Sequence, residues 1–189
     1  KLSAYNIVMS TKLQKDDLSV AVLSGGKSSR MNYEDKGLIE FNGFSVLLRI
    51  IELSNKYSND VFIIANDNLE EYKKLHPHLY SDILDNYQGP LSGIYTALSK
   101  CKNSYVIILP CDGPFIKEDY FEKLINSETD QPILVAKTGD RLQPVYARLD
   151  ASLKEDLKVF LDPGFGRPLK PGRNRAQPKH TQNCQGLCQ

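Results

Sequence analysis

Three stretches of the chain hold residue types able to act on phosphates. The first is Ser19–Lys36: Ser-Val-Ala-Val-Leu-Ser-Gly-Gly-Lys-Ser-Ser-Arg-Met-Asn-Tyr-Glu-Asp-Lys. An apolar run, Val20 to Leu23, empties into Ser24-Gly25-Gly26, and Lys27, Arg30 and Lys36 follow in the same polar segment. Glycine lets backbone N–H groups approach an anion closely, and cations offset its charge. The combination fits a grip on a nucleoside triphosphate. Gly26-Lys27-Ser28 looks like the end of a Walker A loop, but that pattern needs glycine where Ala21 stands inside the apolar run. A G-x-G-x-x-G dinucleotide pattern is absent as well. The alternative is a plain glycine turn, which gives no reason for three cations.

The second stretch is Pro110-Cys111-Asp112-Gly113-Pro114, directly after Val106-Ile107-Ile108-Leu109. A carboxylate beyond a buried strand suits Mg²⁺, which binds through one or two carboxylates together with substrate phosphates. The alternative is an Asp that caps the helix beginning near Lys117 or bonds within its own turn. The third stretch holds Asp82 and Asp85 ahead of Gly89-Pro90-Leu91. Either acid could reach a ribose hydroxyl, a base or a metal, or simply face solvent. His76 and His78 flank Pro77 and read as surface residues. Ser28 and Ser29 lack the G-x-S-x-G elbow of a nucleophile. Cys111 reads as a small buried residue. None of the four cysteines forms a Cys-x-x-Cys pair with a matching second pair, so neither a zinc site nor a disulfide framework is expected, and a reducing cytoplasm is the default setting.

The elements that must position these residues alternate. Ser19–Ser24, Val61–Ala65 and Tyr105–Leu109 are apolar runs without alternation, as in strands covered on both faces. A shorter strand, third in chain order, is expected over Tyr80–Leu84, and two more around Pro132–Ala136 and Leu142–Ala147. Helical spacing marks Phe44–Tyr57, Leu69–Leu75, Ile94–Leu98, Lys117–Asn126 and Asp150–Leu161, the last with Asp150 as its cap and Leu153, Leu157 and Leu161 on one face. Such alternation predicts a mostly parallel central sheet with helices on both sides, a Rossmann-like three-layer α/β sandwich. Ligands in such sheets sit at the carboxyl ends of the strands. The loops after Leu23 and Leu109 should therefore face one crevice.

The 189 residues suit one such domain, with 41% hydrophobic and 25% charged residues. We read residues 18–162 as that domain, 1–17 as an amino-terminal extension and 163–189 as an irregular basic tail. The tail is broken by Pro163, Pro168, Pro171 and Pro178 and holds no acid after Asp162. A net charge of +1 gives no general case for nucleic-acid binding. Apolar runs are too short to span a membrane, and Lys1–Asp17 lacks the apolar centre of a secretory signal.

Taken together and in order, these stretches resemble the molybdenum cofactor guanylyltransferase family, within the nucleotidyltransferases of the nucleotide-diphospho-sugar transferase type. That family opens with Leu-x-Gly-Gly-x-Ser-x-Arg-Met-Gly-x-Asp-Lys, and Leu23–Lys36 follows it with Asn32 in place of glycine and one extra residue before Asp35-Lys36. Gly89-Pro90-Leu91-Ser92-Gly93 matches its Gly-Pro-Leu-x-Gly motif, and Pro110–Pro114 its Pro-Cys-Asp-x-Pro motif. Gln143-Pro144-Val145-Tyr146-Ala147 is similar to its Gln-Pro segment. The agreement covers Ser19–Leu161. The family's later Asn-x-Asn-Thr-Pro segment has no counterpart in Pro163–Gln189.

The resemblance implies transfer of GMP from GTP to molybdenum-loaded molybdopterin, with release of pyrophosphate. It implies that Leu23, Ser24, Gly25 and Gly26 contact the nucleotide through backbone, that Lys36 and Arg30 neutralise the triphosphate, and that Asp82 binds the nucleotide. Asp112 would hold the Mg²⁺ that accompanies GTP. The family's nucleotide-contacting Asn aligns with Ile64, and Asn66, two residues on, is the candidate in its place. Other proteins of molybdenum cofactor biosynthesis, or the molybdoenzymes that receive the product, are the protein partners that the resemblance allows. The rival readings are a sister enzyme using CTP or a sugar phosphate, and a non-catalytic nucleotide or cofactor binder.

Overall fold

The apolar runs become strands whose alternate side chains enter two different cores. The computed structural model describes residues 12–24, 36–38, 40–41, 43–84, 89–113 and 116–161. In chain order the elements are β1 (Leu18–Ser24), β2 (Glu40–Phe41), β3 (Phe44–Ser45), α1 (Val46–Asn55), β4 (Asp60–Ala65), α2 (Leu69–Leu75), β5 (Leu79–Tyr80), α3 (Pro90–Lys100), β6 (Tyr105–Pro110), α4 (Glu118–Ile125), β7 (Ile133–Thr138), β8 (Arg141–Asp150) and α5 (Leu153–Leu161). Short 3₁₀ turns lie at Lys15–Asp17 and Lys36–Leu38.

One six-stranded sheet, in the order β5-β4-β1-β6-β8-β7, organises the molecule. Its strands β5, β4, β1 and β6 are parallel neighbours, and β8 runs against both β6 and β7. The sheet is thus mostly parallel, as the alternation of elements predicts. Pairing of β2 with β3 makes a separate two-stranded hairpin, with Gly43 in a turn at φ 78°; Asn42, the other residue of the turn read from the sequence, lies outside the described residues.

Leu18, Val20 and Val22 of β1 point to one face, with Val61 and Ile63 of β4 and Ile107 and Leu109 of β6. Helices α1, α2 and α4 cover that face with Leu47, Ile50 and Ile51, with Tyr72, and with Phe121 and Leu124. Ala21, Phe62, Ile64, Val106 and Ile108 point to the other face, beneath Ile94, Ala97 and Leu98 of α3. Leu153 and Leu157 of α5 pack on that second cluster, and Leu161 is buried. Two-sided burial explains why the strands read as unbroken apolar runs. Each fully buried Ile or Leu contributes about 1.5–3 kcal/mol by leaving water. Truncating a central one such as Ile63, 0% exposed, to Ala costs roughly 2–5 kcal/mol.

Among the boundaries that differ from the sequence reading, two have a plain physical reason. The strand expected over Tyr80–Leu84 ends at Tyr80. Beyond it the Asp82 N–H is captured by the Asn66 side chain at 2.9 Å and the Ile83 N–H by Thr96 Oγ1 at 3.0 Å, so the ladder cannot continue. The helix expected from Asp150 begins at Leu153, because β8 runs through Asp150, opposite Tyr105 of β6. The Asp150 carboxylate accepts the Ser152 N–H at 2.8 Å and turns the chain from strand to helix.

Residues 12–17 pack on the amino end of the sheet. Leu13 joins the first core cluster, and Asp16 accepts a hydrogen bond from Asn59 Nδ2 at 2.8 Å. Residues 1–11 and 162–189 lie outside the described residues, and with them the whole of the expected tail.

Candidate active site

Parallel strands β1, β4, β5 and β6 all deliver their last residues to one edge of the sheet, as the crossover rule requires. Ser24 ends β1, Asn66 follows β4, Asp82 lies two residues beyond β5, and Asp112 lies two residues beyond β6. The Cys111 N–H donates to the Leu23 carbonyl at 3.0 Å, which carries the β1–β6 ladder one step past the strand and fixes Asp112 beside the end of β1.

Leu23, Asp82 and Gly93 meet on the α3 side of this edge. A Cβ built on Gly93 would stand 3.3 Å from Leu23 Cδ2 and 3.7 Å from Asp82 Oδ1, so the glycine of the Gly-Pro-Leu-x-Gly motif lets α3 close on both. Pro90 opens α3, the position where a missing N–H costs nothing. Asn66 and Asp82 are locked together. Asn66 Nδ2 donates to Asp82 Oδ2 and the Asp82 N–H donates to Asn66 Oδ1, both at 2.9 Å. Thr96 Oγ1 also donates to Asp82 Oδ1 at 3.5 Å. Ile64, in the alignment position of the family's Asn, is 2% exposed inside β4, whereas Asn66 stands exposed at the mouth.

On the other side of β1, Ser24 Oγ donates to the Tyr72 hydroxyl, and Gly37 packs against both oxygens. A Cβ on Gly37 would collide with Ser24 Oγ and with the Tyr72 hydroxyl. The 3₁₀ turn Lys36–Leu38 is thereby set against the end of β1.

Asp112 is exposed at the end of β6. It does not cap α4, whose N-cap position is Lys117. Its neighbour across the edge is Tyr146, for which the sequence reading assigned no role. Pro144–Tyr146 form an excursion of β8, where pairing with β7 jumps from Ala136↔Gln143 to Val135↔Ala147. Pro144 has no N–H for a ladder, which suits it to an irregular stretch of this kind. The excursion lays the Tyr146 hydroxyl over Gly113, where a Cβ would stand only 2.7 Å away. Its ring meets Tyr120 edge to face at 5.9 Å. Burial, then the Asp112 carboxylate and then Cys111, push the Tyr146 phenol above its ordinary value, so at neutral pH it is a hydrogen-bond donor. The signal in the sequence was Gln143-Pro144, a proline inside an otherwise strand-like run.

Gly25, Gly26, Ser28, Ser29, Arg30 and Asp85 lie outside the described residues, as does the side chain of Lys36. Cys111 is 7% exposed, in accord with a small buried residue. Among the described residues no group of three or more His, Cys, Asp or Glu side chains could hold a metal ion. A single carboxylate is compatible with Mg²⁺, which takes most of its ligands from phosphates and water. Among the described residues no helix is long and apolar enough to cross a membrane. A surface groove of about 540 Å³ between α1 and α4, lined by Arg49, Glu52, Lys56, Lys117 and Glu118 among others, contains none of the predicted site residues.

Known proteins resemble this chain in sequence and in fold. A family model described as MobA-like NTP transferase domain matches residues 20–171. A probable molybdenum cofactor guanylyltransferase of Clostridium perfringens strain 13 is 42% identical over 143 residues, 76% of this chain and 71% of that protein. The molybdenum cofactor guanylyltransferase of Haemophilus influenzae strain Rd is 36% identical over 155 residues, 81% of each chain. Among solved structures, a protein of Aquifex aeolicus VF5 superposes with a TM-score of 0.66 at 30% identity, covering 82% of this chain and 80% of that one. A molybdopterin-guanine dinucleotide biosynthesis protein A from Archaeoglobus fulgidus gives a TM-score of 0.62 at 21% identity, with 79% and 75% covered, and shares the fold.

Proposed function

The chain belongs to the MobA-like NTP transferase domain family, and on that premise we propose that it transfers GMP from GTP to the terminal phosphate of molybdenum-loaded molybdopterin. The observation that carries this reading is the convergence of Leu23-Ser24, Lys36-Gly37, Asn66, Asp82 and Asp112 on one sheet edge, in a chain whose relatives named molybdenum cofactor guanylyltransferase align over most of its length.

In the proposed reaction an oxygen of the molybdopterin phosphate attacks the α-phosphorus of GTP. The bond from the α-phosphorus to the bridging oxygen breaks, and pyrophosphate leaves with that electron pair. The protein needs no covalent nucleophile, because positioning and charge neutralisation account for most catalysis of this type. Asn66 and Asp82, held as a pair, present polar atoms to the ribose or the base. Backbone N–H groups of Gly25 and Gly26, which follow Ser24 in the sequence, cradle the phosphates. Lys36 and Arg30 offset the charge that develops on pyrophosphate. Asp112 would hold Mg²⁺. That ion, when bound, supplies charge neutralisation between phosphates. Tyr146 lies against the Asp112 loop and presents a protonated phenol to the same edge.

The deciding measurement is pyrophosphate release with molybdenum-loaded molybdopterin and either GTP or CTP. Turnover with GTP, with CTP at least tenfold poorer, is the expected result. Preference for CTP moves the chain to a sister activity. GTP binding without pyrophosphate release leaves a binder that is not an enzyme.

A further inference from the structure

We propose that Tyr72 is a positioning residue for the triphosphate grip, a buried staple that holds the two ends of the Ser24–Gly37 segment together. The inference rests on the assignment of that segment to GTP. Tyr72 is 0% exposed and is the one buried residue of α2, so its ring cannot drift. Its hydroxyl accepts the hydrogen bond of Ser24 Oγ, which is itself on a residue only 5% exposed. Both oxygens abut Gly37, where even a methyl group has no room. Leu38, the next residue, packs on the first core cluster that also contains Tyr72.

One side chain from another element therefore fixes where the segment leaves the sheet and where it returns. The returning end is the peptide of Lys36-Gly37, so the staple sets the backbone from which the Lys36 side chain starts. Reaction rates fall steeply when a charged group at a phosphate is displaced by as little as an ångström. A core tyrosine needs no hydroxyl for packing alone, since phenylalanine fills the same volume. The contact with Ser24 and Gly37 gives the hydroxyl a use beyond packing.

Gly37→Ala should raise the KM for GTP by about tenfold, with kcat reduced less, as expected for a displaced binding group. Adding Tyr72→Phe and Ser24→Ala to Gly37→Ala removes both colliding oxygens. That triple variant should recover to the KM of the Tyr72→Phe, Ser24→Ala double variant. Tyr72→Phe alone keeps the packing and should raise KM by about fivefold, the weight of one lost hydrogen bond. A Gly37→Ala protein with unchanged KM overturns the staple, and so does a defect that persists once both oxygens are gone. Backbone hydrogen exchange over residues 36–38 tests it without GTP. Exchange should quicken severalfold in Tyr72→Phe relative to wild type, and equal rates overturn the proposal. If the wild-type protein binds no GTP, the exchange result still decides the staple, while the assignment of the grip fails on its own.

Discussion

The two edges of the central sheet are built from the same strands and treat polar groups in opposite ways. At the amino edge the polar groups close on one another. Ser19 Oγ donates to Asp60 Oδ2 at 2.7 Å, and the Lys102 N–H donates to the same carboxylate oxygen at 3.1 Å. Asn103 Nδ2 and Ser58 Oγ both donate to the Leu18 carbonyl, at 2.7 Å and 2.6 Å. Lys102 Nζ completes the cluster with an ion pair to Asp60 Oδ1 at 3.3 Å. Ser19, Ser58 and Asp60 are all buried, and burial is tolerable because each is bonded. At the carboxyl edge close approach is made by glycine instead. Gly37 admits the hydroxyls of Ser24 and Tyr72, and Gly113 admits that of Tyr146. Asp112 stands exposed there. A saturated edge holds strands in register, and an edge with exposed polar groups and bare backbone can take up a ligand. Stability and catalysis should therefore separate by edge.

Asp112→Ala is the strongest challenge to that separation. Loss of the proposed metal ligand should lower turnover by at least about a thousandfold, while the exposed site leaves stability within about 0.5 kcal/mol. Pyrophosphate release and a thermal melt measure the two quantities. Near-normal turnover removes Asp112 from the metal site. The mirror experiment is Asp60→Ala. It removes the acceptor of the buried Ser19 hydroxyl, while the Lys102 N–H keeps Ser19 Oγ at 3.2 Å, and should cost about 1–3 kcal/mol in urea unfolding. Turnover measured well below the melting temperature should stay within about twofold. A large drop in kcat with unchanged stability would show that the edges are coupled.

An intermediate effect is expected at Gly113. Gly113→Ala brings a methyl group to 2.7 Å from the Tyr146 hydroxyl. That contact must be relieved by moving either the phenol or the Asp112 loop, and turnover should fall roughly tenfold for about 1–2 kcal/mol of displacement. Tyr146→Phe in the same protein should recover most of the loss. Without recovery, Tyr146 is packing rather than part of the edge.

How much of this was legible depends on what kind of signal each residue leaves. Unbroken apolar runs gave the central strands to within a residue, because burial on both faces leaves no alternation to confuse. The fourth parallel neighbour was overextended to Leu84, since a side-chain capture of a backbone N–H by Asn66 has no local pattern. Asp112 and Asp82 were visible because each follows a strand or precedes a distinctive Gly-Pro turn. Tyr72 and Tyr146 were not singled out. An aromatic at a helical or strand position reads as core, and only the fold shows that the hydroxyl of each lies against a glycine of a distant loop. The pairing of Asn66 with Asp82 spans sixteen positions and was equally hidden.

The smallest expected effect falls at the amino edge, in the turn from α2 to β5. His76 caps the carboxyl end of α2, and its Nδ1 lies 3.3 Å from the His78 N–H, which donates to it. Burial pushes the His76 imidazole below its ordinary value, outweighing the His78 carbonyl, which raises it, while the charge of His78 lowers it further. The folded state thus holds His76 neutral more strongly than the unfolded chain does. A depressed histidine contributes nothing above the unfolded pKa, about 6.5, and the folded state loses stability as pH falls through that value and on to the lower folded one. The urea midpoint should therefore decline between pH 7 and pH 5, and His76→Gln should flatten part of that decline while leaving the pH 7 midpoint and GTP turnover unchanged. His76 remains partly open to water, so the effect is small beside that of Asp60. If the two proteins show parallel midpoints across that range, burial of His76 does not govern the pH response of stability.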